Sequence, residues 1–256
     1  TAWNNLKPNI GIAVGAIILF FIVSIAMSSL PGNLSYGLSG AGFGFLLQIF
    51  LGGALYVGYC FFFLKIVRNE KAEIEDLFMP FKSKKVFFDS IITYLLSQII
   101  IVVIFINCLV LWASVIYDVP FIAMYKCFQN VLYPHLDYPC DLPDLDPAFI
   151  AANFSISSLF FSFLFIVLLP CTIISLGMSQ AYYLLADGKP KNGLEAITMS
   201  WSLMYNKKIK FLLLQLSFIG WIILSIFTLF FGFLILAPYI SSSYATFYDN
   251  LENQKD

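Results

Sequence analysis

The chain has 256 residues with a net charge of −1, of which 60% are apolar, 18% aromatic and only 11% charged. Soluble domains are about 45–50% apolar and about 25% charged, and one soluble core of this size cannot bury 28 phenylalanines. The composition disfavours a soluble enzyme, a disordered chain, a disulfide-rich toxin and a basic nucleic-acid-binding protein. It predicts an all-α, polytopic transmembrane helix bundle that forms a single integral membrane domain.

Long apolar runs predict the membrane spans, because a helix rising 1.5 Å per residue needs about 20 apolar residues to cross the hydrocarbon. The run 148–186 exceeds one straight span, and Pro170 predicts a kink within it. The run 211–248 is also too long, so we divide it near 228–232; five spans is the alternative to six. The predicted spans are 10–28, 42–66, 87–117, 148–186, 211–227 and 231–248, with a loop at 118–147.

The basic residues predict the topology of the spans. Six lie between the second and third spans and five between the fourth and fifth, whereas the loop 118–147 carries only Lys126. The positive-inside rule places both basic loops, and with them the N-terminus, in the cytoplasm. Six spans would place the C-terminus there as well. The basic residues of the two loops are Lys65, Arg68, Lys71, Lys82, Lys84, Lys85, Lys189, Lys191, Lys207, Lys208 and Lys210.

The two basic loops resemble each other when one is shifted by 123 residues, which aligns Lys84–Lys85 with Lys207–Lys208. Each loop has apolar residues at helical spacing, which predicts two short amphipathic helices at the cytoplasmic interface and suggests a parallel internal repeat. These helices either simply close a hairpin or present a surface to lipids or a partner. The candidate contact residues are Ile74, Phe78, Phe81, Lys84, Lys85, Ile197, Trp201, Met204, Lys207 and Lys208.

Chemistry-bearing residues are scarce in the predicted spans. No Asp, Glu, Lys, Arg or His lies in the middle of a span, which argues against an ion-coupled transporter or pump. The single His135 has no partnered nucleophile in a recognisable motif, so we expect no enzyme activity, no cofactor and no metal site. Cys127 and Cys140 share the outer loop and could form a disulfide in an oxidising compartment.

The C-terminal third carries a family resemblance. It contains Leu216-Ser217-Phe218-Ile219-Gly220-Trp221, then Pro238-Tyr239 and Phe247-Tyr248, and the chain opens with Ala2-Trp3. This pattern resembles the domain of unknown function 975 family of bacterial integral membrane proteins. Tyr205 stands where the family usually has a small Gly, and Phe230-Phe231 replaces part of a Gly-rich break. The resemblance implies a location in the bacterial inner membrane and brings no known activity.

Two functions are compatible with these features. The first is a non-enzymatic integral membrane protein that acts as a scaffold or accessory subunit of a membrane complex. The alternative is a transporter or lipid-handling protein for an apolar or lipidic substrate. Both predict contacts with membrane lipids, the first adds a membrane-protein partner, and neither involves nucleic acid.

Overall fold

The computed structural model describes residues 2–34, 47–117, 156–228 and 232–254. All regular structure within these ranges is helical, which confirms the all-α class. Five helical stretches in the described ranges are long and apolar enough to cross a membrane, so the chain is a membrane protein. They are Ala2–Met27, Gln48–Val67, Lys84–Ile116, Leu159–Ala186 and Lys208–Phe227.

The α-helices are numbered in chain order. Short 3₁₀ turns at Lys7–Asn9 and Ile74–Phe78 precede α2 and α4, and π-helical turns at Gln48–Gly52 and Leu164–Leu168 precede α3 and α7. The helices are α1 Ala2–Leu6, α2 Ile10–Leu34, α3 Gly53–Val67, α4 Met79–Lys82, α5 Lys84–Tyr117, α6 Ile156–Phe163, α7 Leu169–Met178, α8 Ala181–Ala186, α9 Gly193–Leu203, α10 Lys208–Ser217, α11 Ile219–Phe227 and α12 Phe233–Glu252.

The sixth predicted span, 231–248, is not among the five apolar stretches. The chain does change helix where the sequence was divided, because α11 ends at Phe227 and α12 begins at Phe233. The number of spans supported by length and composition in the described residues is therefore five. The loop 118–147, with Cys127 and Cys140, lies outside the described residues.

The chain forms two compact units, Thr1–Ser97 with Leu176–Asp256, and Gln98–Ser175. The first has its core around α3, where Phe62 and Phe63 are completely buried together with Leu184 of α8 and Tyr248 of α12. In the second, Trp112 of α5 donates a hydrogen bond from Nε1 to the hydroxyl of Ser162 at 3.0 Å, and its ring meets the edge of Phe163.

Helix α12 runs parallel to α3. The hydroxyls of Tyr59 and Ser241 are hydrogen-bonded, and Arg68 Nε donates to Asp249 Oδ1 at 2.9 Å, so the register stays nearly constant at 182 and 181 residues. The three consecutive serines Ser241, Ser242 and Ser243 are buried, and their hydroxyls donate to backbone carbonyls. The serines lower the hydropathy of α12, but neighbouring helices cover them and their hydroxyls are all hydrogen-bonded.

Two reversals within the described residues are closely similar, one between α3 and α5 and the other between α8 and α10. We call residues 68–83 the first turn segment and residues 187–207 the second turn segment. The incoming helices end on a left-handed residue, Asn69 with φ 58° and Gly188 with φ 68°. In both, the next N–H bonds back to a carbonyl five residues earlier, from Glu70 to Lys65 and from Lys189 to Leu184.

Side-chain caps then start the helical part of each turn segment. Glu73 and Asp76 cap each other's backbone N–H groups, and the Asn192 side chain accepts from Glu195 N at 2.8 Å. These caps lie 119 residues apart, the separation of Arg68 and Asp187, whereas the lysines align at 123. The second turn segment is longer by about one helical turn, and an internal repeat stays a prediction.

Candidate functional site

An ion-pair cluster joins the ends of α3, α8 and α12. Arg68 binds Asp187 through two hydrogen bonds of 2.6 and 3.2 Å and binds Asp249 at 2.9 Å. Lys189 binds Asp187 at 3.2 Å and Glu252 at 2.8 Å. We call these five residues the ion-pair cluster.

Three members of the ion-pair cluster, Arg68, Asp187 and Lys189, have pKa values shifted towards their ionised forms. The hydrogen bond to Asp187 raises the pKa of Arg68 against the opposing effect of burial. Burial alone would raise the pKa of Asp187, but the hydrogen bond and charge of Arg68, followed by those of Lys189, hold it below its usual value. Burial lowers the pKa of Lys189, and its bonds to Glu252 and Asp187 outweigh that effect and raise it.

The sequence reasoning did not single out the ion-pair cluster. Arg68 is the only arginine in the chain, and arginine is the side chain whose planar group binds a carboxylate through two parallel bonds. The presence of one arginine among the lysines was therefore the sequence feature that could have indicated a carboxylate-binding site. Its acidic partners are 119 and 181 residues away, so only the tertiary structure shows that they meet. The cluster ties three helix ends together.

The candidate contact residues divide between exposed and buried positions. Ile74, Phe78 and Phe81 of the first turn segment are exposed, as is Trp201 of the second. Met204, in contrast, is completely buried in the core. The remaining apolar candidate, Ile197, is partly buried against that core.

The candidate lysines also occupy different environments. The side chains of Lys84 and Lys85 are exposed. Lys207 donates to Gln254 Oε1 at 3.0 Å, and Lys208 Nζ lies 3.4 Å from the centre of the Trp201 ring, a cation–π contact. The structure thus places Trp201 and Lys208 together.

An apolar groove of about 420 Å³ lies between α11 and α12, beside α1. Two of the three hydroxyl-bearing side chains in its wall are engaged, because Ser225 donates to the carbonyl of Trp221 and Thr228 donates to that of Ser225. Apart from the Tyr239 hydroxyl and the N–H groups of two tryptophans, the wall therefore offers an occupant apolar and aromatic surface. We call it the α11–α12 groove; its lining residues are Trp3, Trp221, Leu224, Ser225, Thr228, Gly232, Ile235, Leu236 and Tyr239.

Metal binding and cysteine chemistry are the other candidate activities to consider in the described ranges. Within them no group of three or more His, Cys, Asp or Glu residues is arranged to hold a metal ion. The free cysteines Cys60, Cys108 and Cys171 lie in membrane-spanning stretches. The possible disulfide between Cys127 and Cys140 falls outside the described residues and stays a prediction.

Comparison with known proteins gives one match. The model of a family described as protein of unknown function (DUF975) matches residues 1–255. No curated protein matches the chain, and no solved structure matches it either.

Proposed function

We propose that this chain, which belongs to the DUF975 family of unknown function, is a non-enzymatic scaffold or accessory subunit of a membrane complex. We further propose that it resides in the bacterial cytoplasmic membrane with both termini in the cytoplasm. The basic residues of the turn segments support that orientation through the positive-inside rule.

The α11–α12 groove is the observation that carries the scaffold proposal. Its wall includes the small residues Ser225, Thr228 and Gly232 between large aromatic ones. Small residues let a second membrane helix approach closely, which is the usual way in which such helices associate. The outer surface of α11 is also apolar and exposed, with Phe227 80% exposed. We propose that a transmembrane helix of a partner protein occupies this groove.

A lipid-handling protein is the second candidate. The same groove could hold an apolar or lipidic molecule, because its lining is apolar and its volume of about 420 Å³ falls in the range of small-molecule sites. The two candidates differ in the occupant, a protein helix or a lipid, so one experiment can separate them.

Photo-crosslinking in native membranes tests the occupant. A photoreactive amino acid replaces Ile235 in the groove. Two such proteins are compared: one has the native sequence at all other positions, and the other also carries Leu224→Trp, which fills the groove. We expect one protein adduct of discrete mass with the native sequence and its loss in Leu224→Trp. Ile223→Trp is the matched control, since Ile223 is an exposed residue of α11 that does not line the groove. A lipid adduct alone would favour the second candidate and contradict the scaffold.

The location of the C-terminus needs a separate test. The parallel register of α12 with α3, which is itself part of an apolar stretch, supports a sixth crossing that neighbouring helices shield from lipid. Cysteines introduced at Asn4 and Asn253 should both resist a membrane-impermeant thiol reagent in intact cells and react after permeabilisation. Reaction of only the Asn253 position in intact cells would contradict six spans.

A further inference from the structure

Eleven basic residues lie in the two turn segments or at the helix ends beside them, and they differ in their partners. Lys65, Arg68, Lys71, Lys82 and Lys189 each bind a carboxylate at 3.6 Å or closer. The other six have no ion pair with any residue in the described ranges; of these, Lys207 donates a hydrogen bond to Gln254 and Lys191 lies in the second turn segment before α9. We call the remaining four the free lysines: Lys84, Lys85, Lys208 and Lys210.

The free lysines share one place in the fold, the beginning of a membrane-spanning helix. Lys84 and Lys85 open the stretch Lys84–Ile116, and Lys208 and Lys210 open the stretch Lys208–Phe227. A helix begins with the positive end of its dipole, so these cations gain nothing from the helices that carry them. At this position the free lysines need negative charges that do not belong to their own helices.

Exposed apolar side chains surround the free lysines. Phe88 follows the first pair and is 60% exposed, and Ile209 lies between the second pair and is 72% exposed. Trp201, beneath Lys208, is also exposed. Aromatic and basic side chains occur together where a helix passes from the headgroups into the hydrocarbon. Both surfaces have that composition.

The acidic side chain nearest in sequence to the first pair is already engaged. Asp89 lies four residues after Lys85, and its carboxylate accepts a hydrogen bond from Gly193 N at 3.2 Å. The carbonyl oxygen of Gly193 in turn accepts a hydrogen bond from the hydroxyl of Thr93. Asp89 therefore serves to dock α9 on α5 and is not ion-paired with the lysines.

We propose that the free lysines bind the headgroups of anionic membrane lipids. Lipid phosphates are the anions present at the level where a helix enters the bilayer. Each lysine near an anionic surface raises the affinity for that surface about fivefold. The adjacent apolar side chains would contact the upper part of the acyl chains of the same lipids. This proposal is independent of the occupant of the α11–α12 groove.

Native mass spectrometry of the full chain tests lipid selectivity. The purified protein is equilibrated in mild detergent with equal amounts of phosphatidylglycerol and phosphatidylcholine that carry identical acyl chains. We expect the native chain to retain phosphatidylglycerol preferentially. The double variants Lys84→Gln with Lys85→Gln and Lys208→Gln with Lys210→Gln should each lower this preference about 25-fold, which is about fivefold for each lysine. Soluble glycerol phosphate at the same concentration should displace none of the bound lipid.

Lys71→Gln with Lys82→Gln is the matched control. Both of these lysines are exposed, but each binds a glutamate, so their loss should leave the preference within about twofold. An equal loss in this control would show that only net charge matters and would overturn the proposal, as would an unchanged preference when all four free lysines are replaced. Displacement by glycerol phosphate would also contradict it, and unchanged gel-filtration profiles would show that the variants fold.

Discussion

The first and second turn segments have the same backbone design and opposite charges. Both follow a helix that ends on a left-handed residue and both begin their helical part with a side-chain cap. At equivalent positions, however, the first has Arg68 and Glu70 where the second has Asp187 and Lys189. The caps therefore fix the local turn, and the charges are free to differ so that Arg68 and Asp187 bind each other.

The two turn segments also differ in how they pack against the helices that precede them, α3 for the first and α7 for the second. At Gly58 of α3 the backbone of the first turn segment passes so close that a Cβ atom would overlap the carbonyl of Leu77. At Gly177 of α7, the Cβ would instead overlap the ring of Trp201. A backbone carbonyl held by its own turn cannot move aside, whereas a partly exposed side chain can change rotamer. The first contact is thus the more rigid of the two.

The largest predicted effect tests this difference in rigidity. Gly58→Ala should lower the free energy of unfolding by about 3 kcal/mol, because overpacking against backbone has no easy relief. Gly177→Ala should cost about 1 kcal/mol, since the Trp201 ring can shift. Denaturant unfolding in mild detergent, followed by circular dichroism, measures both.

Gly220→Ala is the control for the added methyl group. Gly220 lies in α11, and nothing is within 4 Å of the position that its Cβ would take. The alanine should cause no loss of stability, because alanine favours a helix more than glycine does. Equal losses for Gly58→Ala and Gly177→Ala would contradict the difference between the two contacts.

An intermediate effect tests the ion pair between the two turn segments. Arg68→Ala leaves the largely buried carboxylates of Asp187 and Asp249 without this partner, and should cost about 2 kcal/mol after allowance for the partial exposure of Arg68. Arg68→Lys keeps the charge but loses the paired hydrogen bonds, so about half of that loss is expected. Unfolding in mild detergent measures both, and a midpoint for Arg68→Ala equal to that of the native chain would contradict the role of the ion-pair cluster.

The smallest effect is a dependence on acid pH. The pKa of Asp187 is lowered in the folded chain, so its contribution is fully present above the unfolded pKa of about 3.9 and is lost as the pH falls through the lower folded pKa. Thermal unfolding between pH 7 and pH 2 should show a smaller acid-induced loss in Asp187→Asn than in the native chain. Glu75→Gln, at a largely exposed ion pair, should behave like the native chain; identical profiles for all three would refute the assignment to Asp187.

Much of the helical pattern could be predicted because it depends on local sequence. The first apolar run begins at Ile10, where α2 begins, and the third ends at Tyr117, where α5 ends. Such boundaries can be predicted because hydropathy follows directly from the residues. The helix spacing of Ile74 and Phe78 also indicated the helical part of the first turn segment. The register of 119 residues escaped prediction because it is defined by the left-handed residues and the side-chain caps of the two turn segments, whereas the more conspicuous lysines align at 123.

The α11–α12 groove and the ion-pair cluster could not be predicted in the same way. Trp3 and Trp221 are 218 positions apart in the sequence and line one groove. Met204 has helical spacing with Trp201, yet Met204 is buried in the hydrophobic core and Trp201 is exposed. Spacing along a helix identifies a face, but it does not identify the side that neighbouring helices will cover.

By itself the sequence determined that this protein is an all-helical membrane protein with most of its cations in two loops. Those properties depend on the transfer of side chains between water and hydrocarbon, which each segment undergoes largely on its own. Only the tertiary structure decided which carboxylates Arg68 binds, because Asp187 and Asp249 lie far from it in the sequence and come within hydrogen-bond distance only in the fold. The distinction between Arg68, held by two carboxylates, and Lys84, held by none in the described ranges, is what the fold adds.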